Sequence, residues 1–171
     1  MPSSTANSNF LLSLVLYNQW ASDRVLRRLH RLTRDQLRGA APLSRGSILG
    51  TLVHVVDTQR YWRTVRVEGR VPLKELSPDD FPDVRSRRAY RKAEDQPLIR
   101  FVRSTPESSF ARRVRYSWPR ARPRSKLLWQ IIVHIVNHGT HHRSEVGRAM
   151  AAMNASPGGI DFIKFVARPN R

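Results

Sequence analysis

Four of the six histidines in this 171-residue chain lie within residues 134–142. At about 100° of rotation per residue, His134, His138 and His142 fall on one helical face, which they share with apolar side chains. His141 lies at the edge of that face. A lone histidine on such a face is usually a hydrogen-bonded core residue, but several imidazoles packed together are costly unless something organises them. Because neutral imidazole is a good ligand for zinc, nickel, copper or iron, the segment indicates a metal site.

The spacing of these histidines narrows the ligand set without fixing it. His138 and His142 are i and i+4 on a helix, so their Cβ atoms are about 5–6 Å apart and the side chains can converge on one ion. The pairs His134/His138 and His138/His141 fit the same criterion, and spacing alone does not choose among the three. A pair is an incomplete site, so at least one ligand must come from another element.

His54, in a different predicted helix, is the best remaining candidate for a third ligand. His30 lies near the end of the first predicted helix and fits a surface or packing role better. Three protein ligands leave a position open for water or substrate, as in catalytic sites, whereas a closed structural site needs four. His134 or His141 could supply the fourth.

Four predicted helices must position these residues. Apolar periodicity and helix-end signals predict them over about 9–32, 47–68, 85–104 and 125–153. Pro97 interrupts or kinks the third helix. Residues 109–117 alternate loosely between apolar and basic, which predicts a short irregular or hairpin arm before the last helix. The expected fold is therefore all-α, in a single domain over residues 1–171, with the apolar tail from residue 160 packed back on the bundle.

Two polar residues, Asn18 and Ser22, lie inside the apolar stripe of the first helix. Polar groups on a core face need partners. They are expected either to make buried hydrogen bonds or to line a polar pocket.

The chain is strongly basic, with 31 lysines and arginines against 13 acids and a net charge of +18. Residues 84–126 alone carry 14 basic side chains and three acids. Such a field attracts polyanions, and Phe110, Tyr116 and Trp118 beside these arginines could stack on bases. No recognised nucleic-acid motif is present, however, and an arginine-rich composition also produces a solvated basic face.

The sequence contains no cysteine, which excludes disulfides, cysteine-based zinc sites and a thiol nucleophile supplied by the chain itself. Its start lacks a signal-peptide pattern, and its apolar runs are too short and too polar to span a bilayer. No membrane association and a cytoplasmic location are therefore expected.

Three segments resemble the DinB/YfiT-like family of bacterial proteins, in the same order along the chain. They are residues 17–21 (YNQWA), 50–57 (GTLVHVVD) and 137–143 (NHGTHHR), of which the last matches the family's most specific motif. The resemblance implies an up-down-down-up four-helix bundle with one divalent metal held by His54, His138 and His142. Ser144 and Glu145 depart from the glycine and glutamine that the family often has there.

Members of that family include thiol-dependent transferases and isomerases that use mycothiol or bacillithiol. The sequence is accordingly interpreted as a metal-dependent enzyme, a thiol-dependent transferase or hydrolase with a small-molecule substrate, zinc or nickel, and a low-molecular-weight thiol. The candidate catalytic residues are Glu145 and Asp57, and the candidate substrate-pocket residues are Asn18, Tyr61 and Arg143.

Two alternatives remain open at this point. One is an arginine-rich nucleic-acid or polyanion binder built on a metal-stabilised bundle, and the other is a structural metal site without catalysis. Since similar proteins often dimerise, a homodimer is an expected assembly.

Overall fold

Four long helices make up most of the computed structural model, which describes residues 7–67, 74–116 and 122–168. The long helices are α1 (Ser8–Arg28), α3 (Ile48–Val67), α4 (Val84–Ser104) and α5 (Leu128–Ala152), and the short ones are α2 (Arg34–Arg38) and α6 (Phe162–Val166). Strands β1 (Arg113–Tyr116) and β2 (Arg124–Leu127) form an antiparallel pair before α5. Turns of 3-10 helix cover Leu29–Arg31, Pro78–Asp80 and Glu107–Ala111.

The long helices pack as a bundle around a common core. α1 lies along α4 and α5, and α3 lies along α5 and less extensively along α4, so α1 and α3 are diagonal to each other. Leu11, Leu128 and Ile132 are fully buried in the main apolar cluster, and Leu29 and Ile48 in a second cluster. The predicted four-helix bundle with a hairpin before its last helix is confirmed.

Side-chain caps explain where several helices begin. The Asn7 side chain accepts from the backbone amides of the first turn of α1, and Asp83 and Ser86 form a reciprocal capping box on α4. Thr33 and Gln36 form the same box on α2, a helix that the periodicity did not predict. Its signal was the threonine followed three residues later by glutamine, since a five-residue helix is too short to show an apolar stripe.

Two predicted helical features are wrong in detail. Residues 125–127 belong to β2, in which Leu127 pairs with Arg113. The helix α5 therefore begins at Leu128, and the Gln130 side chain caps it by accepting from the Leu127 amide. α4 continues through Pro97 to Ser104, so the predicted interruption does not occur, whereas the alternative, a kink at Pro97, stays a prediction. Trp118, which was predicted to stack on bases, lies outside the described residues.

The predicted packing of the tail is correct in part. Ile160 and Phe165 pack against the bundle, and the Phe162 ring meets that of Tyr17 edge-on with centroids 5.3 Å apart. Ile163 and Val166, on the other side of α6, are 70% and 49% exposed.

Within the described residues, no helix combines the length and the apolar character that crossing a bilayer requires.

Phe110 should be a main anchor of the segment that leads into the hairpin, because its side chain is 0% exposed. Phe110→Ala should lower the free energy of unfolding by about 3–5 kcal/mol through lost burial and the cavity left behind. The matched control is Phe10→Ala, since Phe10 is 54% exposed on α1, and its effect should stay within about 0.5 kcal/mol. Urea unfolding measures both, and equal losses would contradict this assignment.

Candidate metal centre

Three histidines from two helices converge at the interface between α3 and α5. The Nε2 atom of His138 lies 3.1 Å from Nε2 of His54 and 3.2 Å from Nε2 of His142. One ligand atom from each of the three residues lies within 4.8 Å of the others. Of the histidine pairs that the spacing allowed, the structure thus brings His138 and His142 together with His54.

The outer nitrogen of His142 is held by neighbouring oxygen atoms. Its Nδ1 atom lies 3.1 Å from Oε2 of Glu145 and 3.0 Å from Oγ of Ser44, and the Ser44 hydroxyl donates to the same carboxylate oxygen at 2.7 Å. Because an ionised carboxylate only accepts, Nδ1 of His142 carries the proton and Nε2 keeps its lone pair for the cluster. Ser44 was not predicted here, since its contact depends on the path of the loop before α3.

Arg45 is a second residue that the sequence analysis missed. Its guanidinium Nη2 lies 3.1 Å from Nε2 of His54, and the residue is exposed to solvent. A guanidinium has donors and no acceptor, so Arg45 donates to the lone pair of His54. The only sequence signal was its position just before the second predicted helix, which is α3 in the structure.

Burial and neighbouring positive charge keep the two central imidazoles neutral. Burial lowers the pKa of His54 to about 4, and the Arg45 cation adds to the effect. Burial lowers the pKa of His138 to about 3, with further contributions from His142 and His54. Both residues are therefore neutral at pH 7, which is the form that binds a metal.

The pKa of the Glu145 carboxyl lies below its usual value. Burial acts to raise it, but hydrogen bonds from Ser44 and His142 to the charged form outweigh that effect. Glu145 is therefore an anion beside His142.

The donor set fits a borderline-soft divalent cation. Three imidazole nitrogens that lie within 4.8 Å of one another could hold one divalent metal ion. The other two histidines of α5 are not part of this group: the His134 ring packs edge-on against Trp62, and the His141 side chain is 67% exposed. A second group that could hold an ion is formed by His141, His142 and Glu145.

Two of the predicted pocket residues, Asn18 and Arg143, belong to a buried polar network. Arg143 donates to Oδ1 of Asn18 at 2.6 Å and to Oγ of Ser22 at 3.2 Å, and Asn18 donates to Gln59 at 3.1 Å. Asn18 and Arg143 are 1% and 0% exposed. These bonds join α1 to α5 and α3, and a role in substrate binding stays a prediction.

The remaining predicted site residues lie on α3. Tyr61 is buried with its ring edge-on against Trp62, and burial raises the pKa of its phenol. The Asp57 carboxylate accepts two hydrogen bonds from Arg60, at 3.0 Å and 2.8 Å. The pocket role of Tyr61 and the catalytic role of Asp57 stay predictions.

The basic region lies partly along a groove between α1 and α4. This groove, of about 900 Å³, is lined by Arg85, Arg88 and Lys92 together with Trp20. The stacking role predicted for Phe110 is wrong, because the side chain is fully buried in the core. Tyr116 packs against the Trp62 ring, with centroids 4.9 Å apart. Binding of a polyanion to this region stays a prediction.

The metal-free protein should lose stability as the pH falls from about 6.5 to about 4. Histidines of the unfolded chain take up protons near pH 6.5, whereas His54 and His138 resist protonation until about pH 4 and about pH 3. The unfolded state therefore binds more protons in this window, and stability declines with falling pH. Urea unfolding at stepped pH should show a shallower decline for His138→Gln and the wild-type decline for His30→Gln, an exposed site. Identical profiles for all three proteins would contradict the burial argument.

Comparison with known proteins identifies a family for this chain. A search of curated proteins found no match. Comparison with protein families matches residues 1–169 to the one described as "DinB family". Since this match covers nearly the whole chain, the protein belongs to the DinB family.

Proposed function

We propose that this protein is a metal-dependent enzyme in which His54, His138 and His142 hold one divalent cation, zinc or nickel. We propose further that it is a thiol-dependent transferase or hydrolase acting on a small molecule. The observation that carries the proposal is the convergence of three imidazole Nε2 atoms, with neighbouring contacts of 3.1 Å and 3.2 Å.

The ligand count and the composition favour catalysis with an external thiol. Three protein ligands leave a position open, as in catalytic zinc sites. A divalent cation there would lower the pKa of a bound thiol or water and so provide a nucleophile at neutral pH. The sequence has no cysteine, so the thiol must come from a small molecule such as mycothiol or bacillithiol.

The position of Arg45 beside His54 favours a substrate with an anionic group. Its guanidinium donates to the His54 lone pair, which is the same lone pair that a cation would take. Once a cation takes the His54 lone pair, the Arg45 guanidinium is free to bind a carboxylate or phosphate of a substrate beside the open position. The planar guanidinium of arginine is well suited to charge-assisted, bidentate hydrogen bonds with such groups.

Glu145 supports the site from the other side. Its carboxylate accepts from Ser44 and His142, which orients the imidazole and raises its basicity as a ligand. Because it is ionised and partly accessible, with 23% of its side chain exposed, it is also the better of the two candidate bases. Asp57 is a weaker candidate, since its carboxylate is paired with Arg60.

Metal content measured on purified, metal-loaded protein tests the site. The wild type should retain about one zinc or nickel ion per chain, and His138→Ala should lose it, because two imidazoles hold an ion far less tightly than three. His141→Ala is the matched control on the same helix, since His141 is exposed and outside the three-histidine group. It should retain the metal.

Two outcomes would contradict the proposed site. One is a wild-type protein that binds neither metal stoichiometrically. The other is loss of metal from His141→Ala but not from His138→Ala, which would assign the ion to the group of His141, His142 and Glu145.

Conjugation of mycothiol or bacillithiol to an epoxide or a chlorinated electrophile that carries a carboxylate or phosphate tests the reaction. Metal-loaded wild type should exceed both the metal-free protein and His138→Ala in rate. Arg45→Met should lower kcat/KM about tenfold, mainly through KM, because one charge-assisted hydrogen bond is worth about 1.4 kcal/mol or more. Arg31→Met, at an exposed position outside the cluster, should not change it. Equal rates with and without metal for every thiol tested would overturn the thiol-transfer part of the proposal.

A further inference from the structure

The guanidinium of Arg87 is buried in the centre of the bundle. Arg87 projects from the first turns of α4 and is 2% exposed. Among the residues that the structure describes, none accepts a hydrogen bond from its Nε, Nη1 or Nη2 atoms. Burial lowers the pKa of Arg87 to about 10, so the side chain is still a cation at neutral pH. A buried cation without partners is among the costliest arrangements in a protein interior.

A small cavity adjoins this side chain. It has a volume of about 10 Å³, and its polar lining consists of Ser22 on α1, Arg87 and Arg91 on α4, and Arg143 on α5. The rest of the wall is apolar and comes from α1 and α3. The volume is about that needed by one water-sized particle, which limits a ligand to a single small ion or molecule.

The charges around the cavity do not balance. Three arginines line it, and Asp95, the nearby buried carboxylate, is paired with Arg91 at 2.9 Å. Arg143 donates to the neutral oxygen atoms of Asn18, Ser22 and Thr140 and lies over the ring of Tyr17, and its Nε atom has no acceptor among the described residues. Within the described part of the chain, neither Arg87 nor Arg143 forms an ion pair with a carboxylate, and the one nearby carboxylate, Asp95, is shared among the three cations.

Water and an anion would satisfy this cavity differently. A water molecule accepts hydrogen bonds from guanidinium groups but leaves the two positive charges uncompensated. A small anion accepts the same hydrogen bonds and balances one charge, and its attraction to the arginines is strengthened by the apolar wall. Ser22 can add a donor, because its oxygen accepts from Arg143 and leaves the hydroxyl proton free to point elsewhere.

We infer that this cavity binds one small inorganic anion of halide size, such as chloride, through Arg87, Ser22 and Arg143. A halide is somewhat larger than water, so the Arg87 guanidinium, which no hydrogen bond from the described residues holds, shifts outward to admit it, whereas sulfate and phosphate are too large. None of the lining residues is a histidine, so the site is separate from the metal centre. Since all four long helices contribute to the wall, the anion acts as a structural ligand that stabilises the bundle.

Unfolding in sodium chloride and in sodium gluconate at one ionic strength tests this inference, because gluconate is too large to enter. Above the dissociation constant, each tenfold rise in chloride should raise the folding equilibrium constant of the wild type about tenfold. Arg87→Met should lose this response, since it removes the charge but keeps an unbranched side chain. Arg100→Met, at an exposed position on the same helix, should keep it.

An equal chloride response in the wild type and in Arg87→Met would overturn the inference. Should Arg87→Met fail to fold, crystals of the wild type grown in bromide decide the question. A bromide anomalous peak within hydrogen-bond distance of the Arg87 guanidinium supports the site, and an ordered water there without such a peak overturns it.

Discussion

The hydrogen-bonding requirement of the three clustered imidazoles is the constraint on which the rest of the site depends. Ser44 and Glu145 hold the proton of His142 on Nδ1, and Arg45 donates to Nε2 of His54. Nε2 is therefore unprotonated in both neighbours of His138, and neither can donate to its Nε2 atom, which has one proton at most to donate in the neutral form. One of the two contacts lacks a donor, whereas a single cation among the three nitrogens satisfies all of the lone pairs.

The packing of the bundle keeps these nitrogens in place. Directly after His138, Gly139 allows close approach between α5 and α1: a Cβ there would lie 2.6 Å from Nη1 of Arg143 and 2.7 Å from Oδ1 of Asn18. The Arg143–Asn18–Gln59 chain of hydrogen bonds continues to Asp95 on α4 at 2.9 Å. All four long helices are therefore tied together beside the three histidines, which limits how far His54 can move relative to α5.

Local sequence patterns predicted the two helices, α3 and α5, that hold the three histidines. The periodicity of α5 placed His138 and His142 on a buried face, whereas His54 required the family resemblance because it lies away from the main apolar stripe of its helix. Features that depend on distant parts of the chain were not predictable in this way. Residues 125–127 form a strand because residues 113–115 pair with them, and Ser44 and Arg45 meet the histidines because of a loop's path. The burial of Arg87 was not predictable for a similar reason, since a charged residue in a basic helix is ordinarily exposed.

Anomalous diffraction at the zinc absorption edge, on crystals of the zinc-loaded protein, tests the central claim most directly. The account predicts one strong peak at about 2.0–2.1 Å from the Nε2 atoms of His54, His138 and His142. A peak held instead by His141, His142 and Glu145, or no peak after loading, would contradict it.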